Sequence, residues 1–337
     1  MQKKLLALAV ASMMSAPVFA QSQVTLYGTF DGGIRNQSNV DGLGGGLLSM
    51  DSAGTYNSNR WGMKGSEDLG NGMKANFKLE GGFMTGTGVG SISGGLFGRG
   101  QTVGLSSKSW GKLDLGRNYT SIFYTTGAYD PFHYKYTGII PIAGLDGARR
   151  NNTITYTSNP MNGLVIRANM GLGEVVDNNA AGRNTELGVS YGNGPFSMGI
   201  AYGVDRDAAD TVNSKQWTIG GAYKTGPWEF MVGYDRDDNM SLAATGAETE
   251  RKVTWLGGRY KMSGNNAVSL AYYNDKRDAT AGDGTKKLWI LGFVHNLSKR
   301  TEFYADIDNA KVDGSMRAAG STDNSNTGIS VGINHAF

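Results

Sequence analysis

The sequence predicts an all-β chain, a 16-stranded antiparallel transmembrane β-barrel, and three observations carry that prediction. Apolar and polar residues alternate with period two along nearly the whole chain. The connections between alternating segments are in turn short and long. No stretch past the first twenty residues approaches the roughly 20 consecutive apolar residues that a spanning helix needs.

Composition narrows the class further. Apolar residues are 39% and charged residues 18% of 337, with 52 Gly, too polar for a helical membrane bundle and too Gly-rich for a long helical protein. A net charge of +3 is too close to neutral for a nucleic-acid partner, which needs basic residues against phosphate. There is no Cys, which excludes disulfides and thiolate chemistry. The three His lie far apart with no H-x-x-x-H or H-E-x-x-H spacing, so neither a metal nor another cofactor is expected.

The chain opens on a leader. Lys3 and Lys4 supply a positive start, Leu5 to Met14 an apolar stretch, and Val18-Phe19-Ala20 a small-residue cleavage signal. Residues 1–20 are read as a signal peptide and 21–337 as the barrel. The first strand runs Val24 to Asp31, with Val24, Leu26, Gly28 and Phe30 on one face and Thr25, Tyr27, Thr29 and Asp31 on the other. Similar segments follow at Met73 to Phe83, Leu164 to Met170, Phe196 to Asp205, Trp217 to Lys224 and Trp228 to Asp235. Val268 to Tyr273, Trp289 to His295, Phe303 to Asp308 and Ile329 to Phe337 complete the series. Each is close to the length of a tilted membrane-spanning strand, about ten residues.

Seven tight turns carry Gly, Asn and Pro, such as Gly194-Pro195 and Gly226-Pro227. Eight longer polar connections fall near 36–55, 85–97, 119–148, 172–182, 206–212, 238–248, 277–285 and 312–324. Tight turns at one rim and long loops at the other are the asymmetry of outer-membrane barrels, short on the periplasmic side and long outside. Tyr191, Trp217, Tyr223, Trp228, Tyr260 and Trp289 fit an interfacial aromatic belt. The other face, rich in Thr, Ser, Gly, Asp, Lys and Arg, cannot pack a dry interior, and a lumen lined that way is expected to be wet.

The opening Val24-Thr25-Leu26-Tyr27-Gly28, the run Arg60-Trp61-Gly62-Met63-Lys64-Gly65-Ser66-Glu67-Asp68, Leu115-Gly116-Arg117-Asn118-Tyr119 and the close Gly332 to Phe337 stand out. In combination, over essentially the whole chain, they resemble the general diffusion porins of Gram-negative bacteria, most nearly the β-proteobacterial branch. The resemblance implies a homotrimer in outer-membrane lipid and lipopolysaccharide that passes small hydrophilic solutes and ions. It also implies assembly by the barrel-assembly machinery through the C-terminal strand ending in Phe337, and a third loop (119–148) folded inward to constrict the pore.

In that family an acidic loop faces a basic wall. Matched by motif, Arg60, Arg99 and Arg149 take the wall positions and Asp130 the loop acid. Strand parity independently turns Arg60 and Lys64 away from Trp61 and Met63, and a lipid-facing Arg near the midplane costs roughly 2–4 kcal/mol. Arg35, Lys78, Glu80 and Arg167 share inward parity, whereas Arg117 shares outward parity with Leu113 and Leu115. The chain departs from the pattern at Thr29, where enterobacterial members carry Lys, and after Asp130, where His133-Tyr134-Lys135 replaces P-E-F-G-G. Asp146 is the other loop acid. Three arginines against so few acids predict a modest anion preference.

Two rival readings have identifiable requirements. A phospholipase-type barrel enzyme needs an outward Ser–His pair near an interface, and His295 and His335 have outward parity without a Ser at matching depth. A substrate-specific channel lined by an aromatic slide needs aligned inward aromatics, and Tyr27, Tyr273 and Tyr304 look scattered. The acids Asp205, Asp207 and Asp210, and Asp235, Asp237 and Asp238, are read as a solvated rim able at most to attract divalent cations.

Overall fold

In a computed structural model, the described residues are 23–50, 53–91, 95–136, 139–144, 147–211, 213–238, 249–279, 282–317 and 320–337. The leader and Asp146 lie outside them. Seventeen strands form one antiparallel sheet. They are β1 (Gln23–Gln37), β2 (Leu47–Met50), β3 (Arg60–Gly70), β4 (Met73–Gly82), β5 (Gly100–Ser107), β6 (Gly111–Tyr119), β7 (Arg149–Thr157), β8 (Leu164–Gly171) and β9 (Asn184–Asn193). The circuit continues with β10 (Phe196–Arg206), β11 (Asn213–Thr225), β12 (Trp228–Asp238), β13 (Thr249–Lys261), β14 (Asn266–Ala279), β15 (Gly284–Asn296), β16 (Thr301–Gly314) and β17 (Ser325–Ala336).

Sixteen of these close the barrel. β2 is the addition that alternation did not reveal: it pairs only the end of β1, Ile34 to Gln37, beyond the point where β3 stops at Arg60 opposite Thr29. The other strands pair with their sequence neighbours, and β17 returns to β1 in register from Thr29 opposite Ala336 to Gln37 opposite Gly328. Closure pairs the sixteen barrel strands with a neighbour on each side, which satisfies the backbone where no water can. Tight connections sit where Gly and Pro placed them. In Gly194-Pro195 and Gly226-Pro227 the Gly takes φ 59° and 54° and the Pro follows, as a II′ hairpin requires.

The outward face follows the pleat. Val24, Leu26, Phe30 and Ile34 on β1 and Ile329, Val331 and Ile333 on β17 are exposed on the unaccompanied chain, while Thr29, Asp31, Arg35 and Ser330 on the opposite face are buried. Aromatics ring the short-turn end, where Trp228 packs on Tyr260 (4.3 Å between centroids) and Phe196 on Tyr223 (4.7 Å).

The seam itself depends on a glycine. Gly28 exchanges two backbone hydrogen bonds with Phe337, at 3.0 and 3.1 Å. A Cβ at Gly28 would overlap the Phe337 ring and lie 2.7 Å from the Arg60 carbonyl. Gly28→Val is therefore expected to destabilise the closing seam by about 1–3 kcal/mol, as overpacking does. The check is the temperature at which the folded, heat-modifiable band converts to the unfolded one in SDS gels; an unchanged temperature would exclude tight packing at this seam.

Candidate functional site

The third long loop lies inside the barrel. It leaves β6 at Tyr119 and starts a short helix, α1 (Ser121–Ala128), whose N-cap Thr120 accepts the Phe123 N–H through Oγ1 at 3.1 Å. The helix is held to the inner wall by Glu186, whose Oε2 accepts the Ser121 N–H at 2.6 Å, and by Thr126 bonded to Thr218. Wall glycines make room for it: a Cβ at Gly199 or Gly220 would lie 2.9 or 2.7 Å from the Tyr129 ring. Farther along, Phe132, Tyr136, Ile140 and Ile142 of the loop pack with Val253, Trp255, Tyr273, Leu288 and Ile290 of β13 to β15, and Tyr304 of β16 joins them.

That packing corrects the expectation of an inner face that is wet throughout. Part of the inner wall is a dry apolar seat, because inward residues of β13 to β16 are large and apolar where the loop covers them. Two of the three inward aromatics, Tyr273 and Tyr304, belong to this seat and form no slide. Alternation misled here because both faces of β15 are apolar over Leu288 to Leu291, which erases the inside–outside contrast.

Asp130 also differs from its expected role. It is fully buried, its Oδ1 accepting the Tyr273 hydroxyl at 2.6 Å and its Oδ2 the Tyr134 N–H at 2.7 Å. Burial pushes its carboxyl above the usual range, and the hydrogen bonds from Tyr273 and Tyr134 oppose that shift. Asp130 thus pins the loop to the wall and does not face the arginines. The motif match located the residue in the loop but carried no information about which way it turns.

On the other side of the loop lies a cavity of about 400 Å³. Arg60, Arg99 and Arg149 line its wall, and Phe123, Tyr124, His133, Tyr134 and Lys135 line the loop side. Ala53, Asn57 and Ser58, from the connection between β2 and β3, form a third side. No carboxylate lines this cavity among the described residues. The three arginines expected on the wall line one cavity, together with His133 and Lys135 of the loop, which the sequence reading did not include as lining groups. It also missed the inward course of residues 53–59. The buried Asp31 draws that segment in, accepting the Thr55 and Tyr56 N–H groups at 2.8 and 3.2 Å, while its own N–H donates to Asn59 at 2.6 Å.

The wall arginines are held largely by neutral acceptors, and Lys135 on the loop side lies 3.8 Å from Glu302. Arg149 donates from Nε to the Arg99 carbonyl at 2.9 Å and from Nη2 to the Tyr119 hydroxyl at 2.5 Å, with its guanidinium 4.3 Å over the Tyr119 ring. Arg60 donates to the Asn57 side chain at 3.1 Å. Arg99 shares the Tyr119 hydroxyl at 3.2 Å and is the one wall arginine of the three with a carboxylate partner within 4 Å among the described residues, Glu80 at 3.1 Å. Tyr119 stacks on Phe123 and Phe123 on Tyr134 at 4.5 and 4.2 Å between centroids, which ties wall and loop together. A neutral acceptor fixes a guanidinium without cancelling its charge, so the cavity keeps a positive potential.

The remaining inward residues form the surroundings. Glu80 also pairs with Lys78 at 3.1 Å and accepts the Tyr27 hydroxyl at 2.8 Å. Lys64 sits 5.3 Å over the Tyr27 ring, and Arg167 3.6 Å over Tyr124. Arg35 lies apart, bonded to Asp308 at 2.7 and 3.1 Å. Arg117 bonds the Gly98 carbonyl and Asn151, at a bulge between Gly116 and Asn118 that shifts the register before Tyr119. Of the acids expected in a solvated rim, Asp205 pairs with Arg150 and Asp210 with Arg206 at 2.8 Å, whereas Asp235 and Asp237 are buried on the inward face of β12, Asp235 bonded to Gln216 at 3.2 Å, which corrects the expectation for those two. His295 bonds Asn266 and His335 bonds Thr301, at 2.7 and 2.9 Å.

A family model described as "Gram-negative porin" matches residues 7–315. The outer membrane porin protein 32 of Delftia acidovorans is 32% identical, the match covering all of both chains. An outer membrane porin protein of Bordetella pertussis is 28% identical, again over the full length of both. Among solved structures, one titled an anion-selective porin from Comamonas acidovorans superposes with TM-score 0.78 at 28% identity, over 94% of this chain and all of that one.

Proposed function

The chain belongs to the family of Gram-negative porins, and from that premise we propose that the arginine-lined passage is the selective constriction of a passive outer-membrane channel that prefers anions. The carrying observation is the lining: Arg60, Arg99 and Arg149 with no carboxylate among the described residues around the cavity. A small anion entering a narrow, partly desolvated passage gains from these weakly screened charges, and a cation loses. The anion-selective porin of Comamonas acidovorans supports the reading by kinship. The membership makes the protein an outer-membrane diffusion channel, and no residue is assigned to catalysis. Lys64, Lys78 and Arg167 extend the basic wall beside the constriction, Glu80 moderates it, and Arg35 belongs to the lumen away from it.

On the same reading residues 1–20 are a cleaved signal peptide, 21–337 are the barrel, and 119–148 are the constriction loop. Three copies form the working unit in outer-membrane lipid and lipopolysaccharide, and the barrel-assembly machinery recognises the strand ending in Phe337. Purified protein in a planar bilayer under a KCl gradient tests the pore reading. Current steps in threes with an anion-shifted reversal potential are expected. A cation-shifted potential would keep the channel and overturn the charge assignment.

The pH dependence is a second test. His133 is partly exposed, with Glu229 at 3.9 Å, and Arg259 and Lys224 are the other charged groups around it. Burial lowers its pKa, as do Arg259 and Lys224, while Glu229 opposes them. A lowered histidine pKa means neutral His133 at pH 7 and a positive His133 only below its usual range near pH 6.5. Anion preference is therefore expected to rise as pH falls from neutral to about 5, and to rise less in His133→Gln, read from reversal potentials. Equal pH profiles for the two proteins would remove His133 from the constriction.

A further inference from the structure

The lumen holds a second cavity, of about 510 Å³, lined from the long-loop ends of β1, β15 and β16. That volume falls among small-molecule sites, which run from about 300 to 1,000 Å³. The two cavities share no lining residue among the described residues. A joint between two loops separates them: the Tyr136 N–H donates to the Tyr56 carbonyl at 2.7 Å, and the two rings meet edge to face at 5.0 Å. On both segments this joint falls between the linings, with Thr55 and Ile139 on one side and Asn57 and Lys135 on the other.

Two cations line the second cavity, and their surroundings differ. The Arg35 guanidinium, packed over Gly328, donates to Asp308 at 2.7 and 3.1 Å, to Ser330 at 3.1 Å and to Gln37 at 3.4 Å. Its charge is matched and its donors are nearly all used. Lys286 points inward by parity with the buried Leu288 and Ile290 and is itself half-buried. Of its three ammonium donors, one reaches the Ile139 carbonyl at 3.5 Å, and no carboxylate lies within 4 Å among the described residues. The acids that act on it, Asp275 and Asp308, are each paired with an arginine, Arg251 at 2.8 Å and Arg35 at 2.7 Å. Ile139, Ala310, Val312 and Met316 give the cavity an apolar side.

We propose that this second cavity binds a small organic monoanion, a carboxylate carrying a short hydrocarbon group, with Lys286 as the residue that takes the carboxylate. One cation without a matching carboxylate sets the valence: a cationic solute is repelled by Lys286, and a dianion brings its second charge against Asp308 and against Asp306, 3.7 Å from Arg35. A half-buried ammonium with open donors makes a charge-assisted hydrogen bond that water screens weakly. The apolar side removes the hydrocarbon group from water, which an inorganic ion cannot exploit. The proposal rests on no property of the arginine cavity, and its failure would leave the reading of the constriction as it stands.

The test is equilibrium dialysis of radiolabelled benzoate against the folded protein in lipid nanodiscs, with empty nanodiscs as the blank. Saturable binding is expected that unlabelled benzoate displaces, acetate displaces only at far higher concentration, and benzylamine does not displace. Lys286→Met keeps the length of the side chain and removes its charge, and should bind benzoate at least about tenfold more weakly. Val312 stands opposite Lys286 in the register of β15 and β16. Val312→Glu therefore supplies Lys286 with a carboxylate of its own and should displace benzoate in the same way; it decides the matter should Lys286→Met not fold. Benzoate binding equal to wild type in either folded variant overturns the proposal. So does binding lost in Arg60→Gln/Arg149→Gln and kept in Lys286→Met, which would assign the benzoate to the arginine cavity. Acetate competing as well as benzoate, or no saturable binding to the wild type, also overturns it.

Discussion

Replacing Arg60 and Arg149 together by glutamate is expected to turn the channel from anion-preferring to cation-preferring. Both guanidiniums face the passage and neither has a carboxylate partner within 4 Å among the described residues, so each contributes nearly its whole charge to the field there. An ion about 6 Å from one such charge feels about 0.7–3 kcal/mol, depending on how far water fills the passage. Exchanging two positive for two negative charges changes the lining by four units. Arg99 and Lys135 remain and will pair in part with the new carboxylates, so the net effect is smaller than four isolated charges would give. Even a residue of about 1.4 kcal/mol per ion is tenfold in permeability. The neutral control, Arg60→Gln/Arg149→Gln, should weaken anion preference without reversing it. A reversal potential identical to wild type in the glutamate variant would place the selective step elsewhere, whereas graded shifts in the order wild type, Gln, Glu would locate it at these two residues.

The parts of this site that were legible in the sequence are those governed by strand parity. Arg60 points inward because Trp61 and Met63 must face lipid, and the period of two leaves no third choice. Arg99 and Arg149 stand at strand ends, where parity is weakest, and were placed by their motif neighbours instead. The barrel itself was legible for the same reason: repeating strands and alternating connection lengths are local features that recur many times. What was not legible depends on contacts without local signature. Asp130 reads as a pore acid until Tyr273, 143 residues away, is known to donate to it. Lys135 and His133 have no pleat to assign them a side. The inward turn of residues 53–59 follows from the buried Asp31, which by parity alone is one more lumenal acid. A bulge at Gly116 to Asn118 decouples Tyr119 from the parity of Leu115, and with it the hydroxyl that joins two of the three arginines.

Loosening the third loop is expected to change the current more than any change to the barrel wall that spares charge. Trp255 fills the seat and donates its indole N–H to the Tyr129 carbonyl at 2.8 Å, and Asp130 satisfies the Tyr273 hydroxyl and the Tyr134 N–H beside it. Trp255→Ala should cost the seated loop about 3–5 kcal/mol, which raises the unseated population by about a hundredfold or more. Asp130→Ala orphans two buried donors at about 1–3 kcal/mol each. Neither change touches the backbone ladder that closes the barrel, so both variants should still run as folded, heat-modifiable barrels. Their single-channel records should differ from wild type in the same way, with larger mean current steps and added noise as the loop leaves and regains its seat. Asp130→Asn keeps one acceptor oxygen in place and should lie between Asp130→Ala and wild type, a gradation that a general weakening of the fold would not produce. Quiet steps of wild-type size in both alanine variants would mean that the loop is held chiefly from the helix side, by Glu186 and the stack of Tyr119, Phe123 and Tyr134. In that event the apolar seat on β13 to β15 would be a consequence of the loop's position and not its cause.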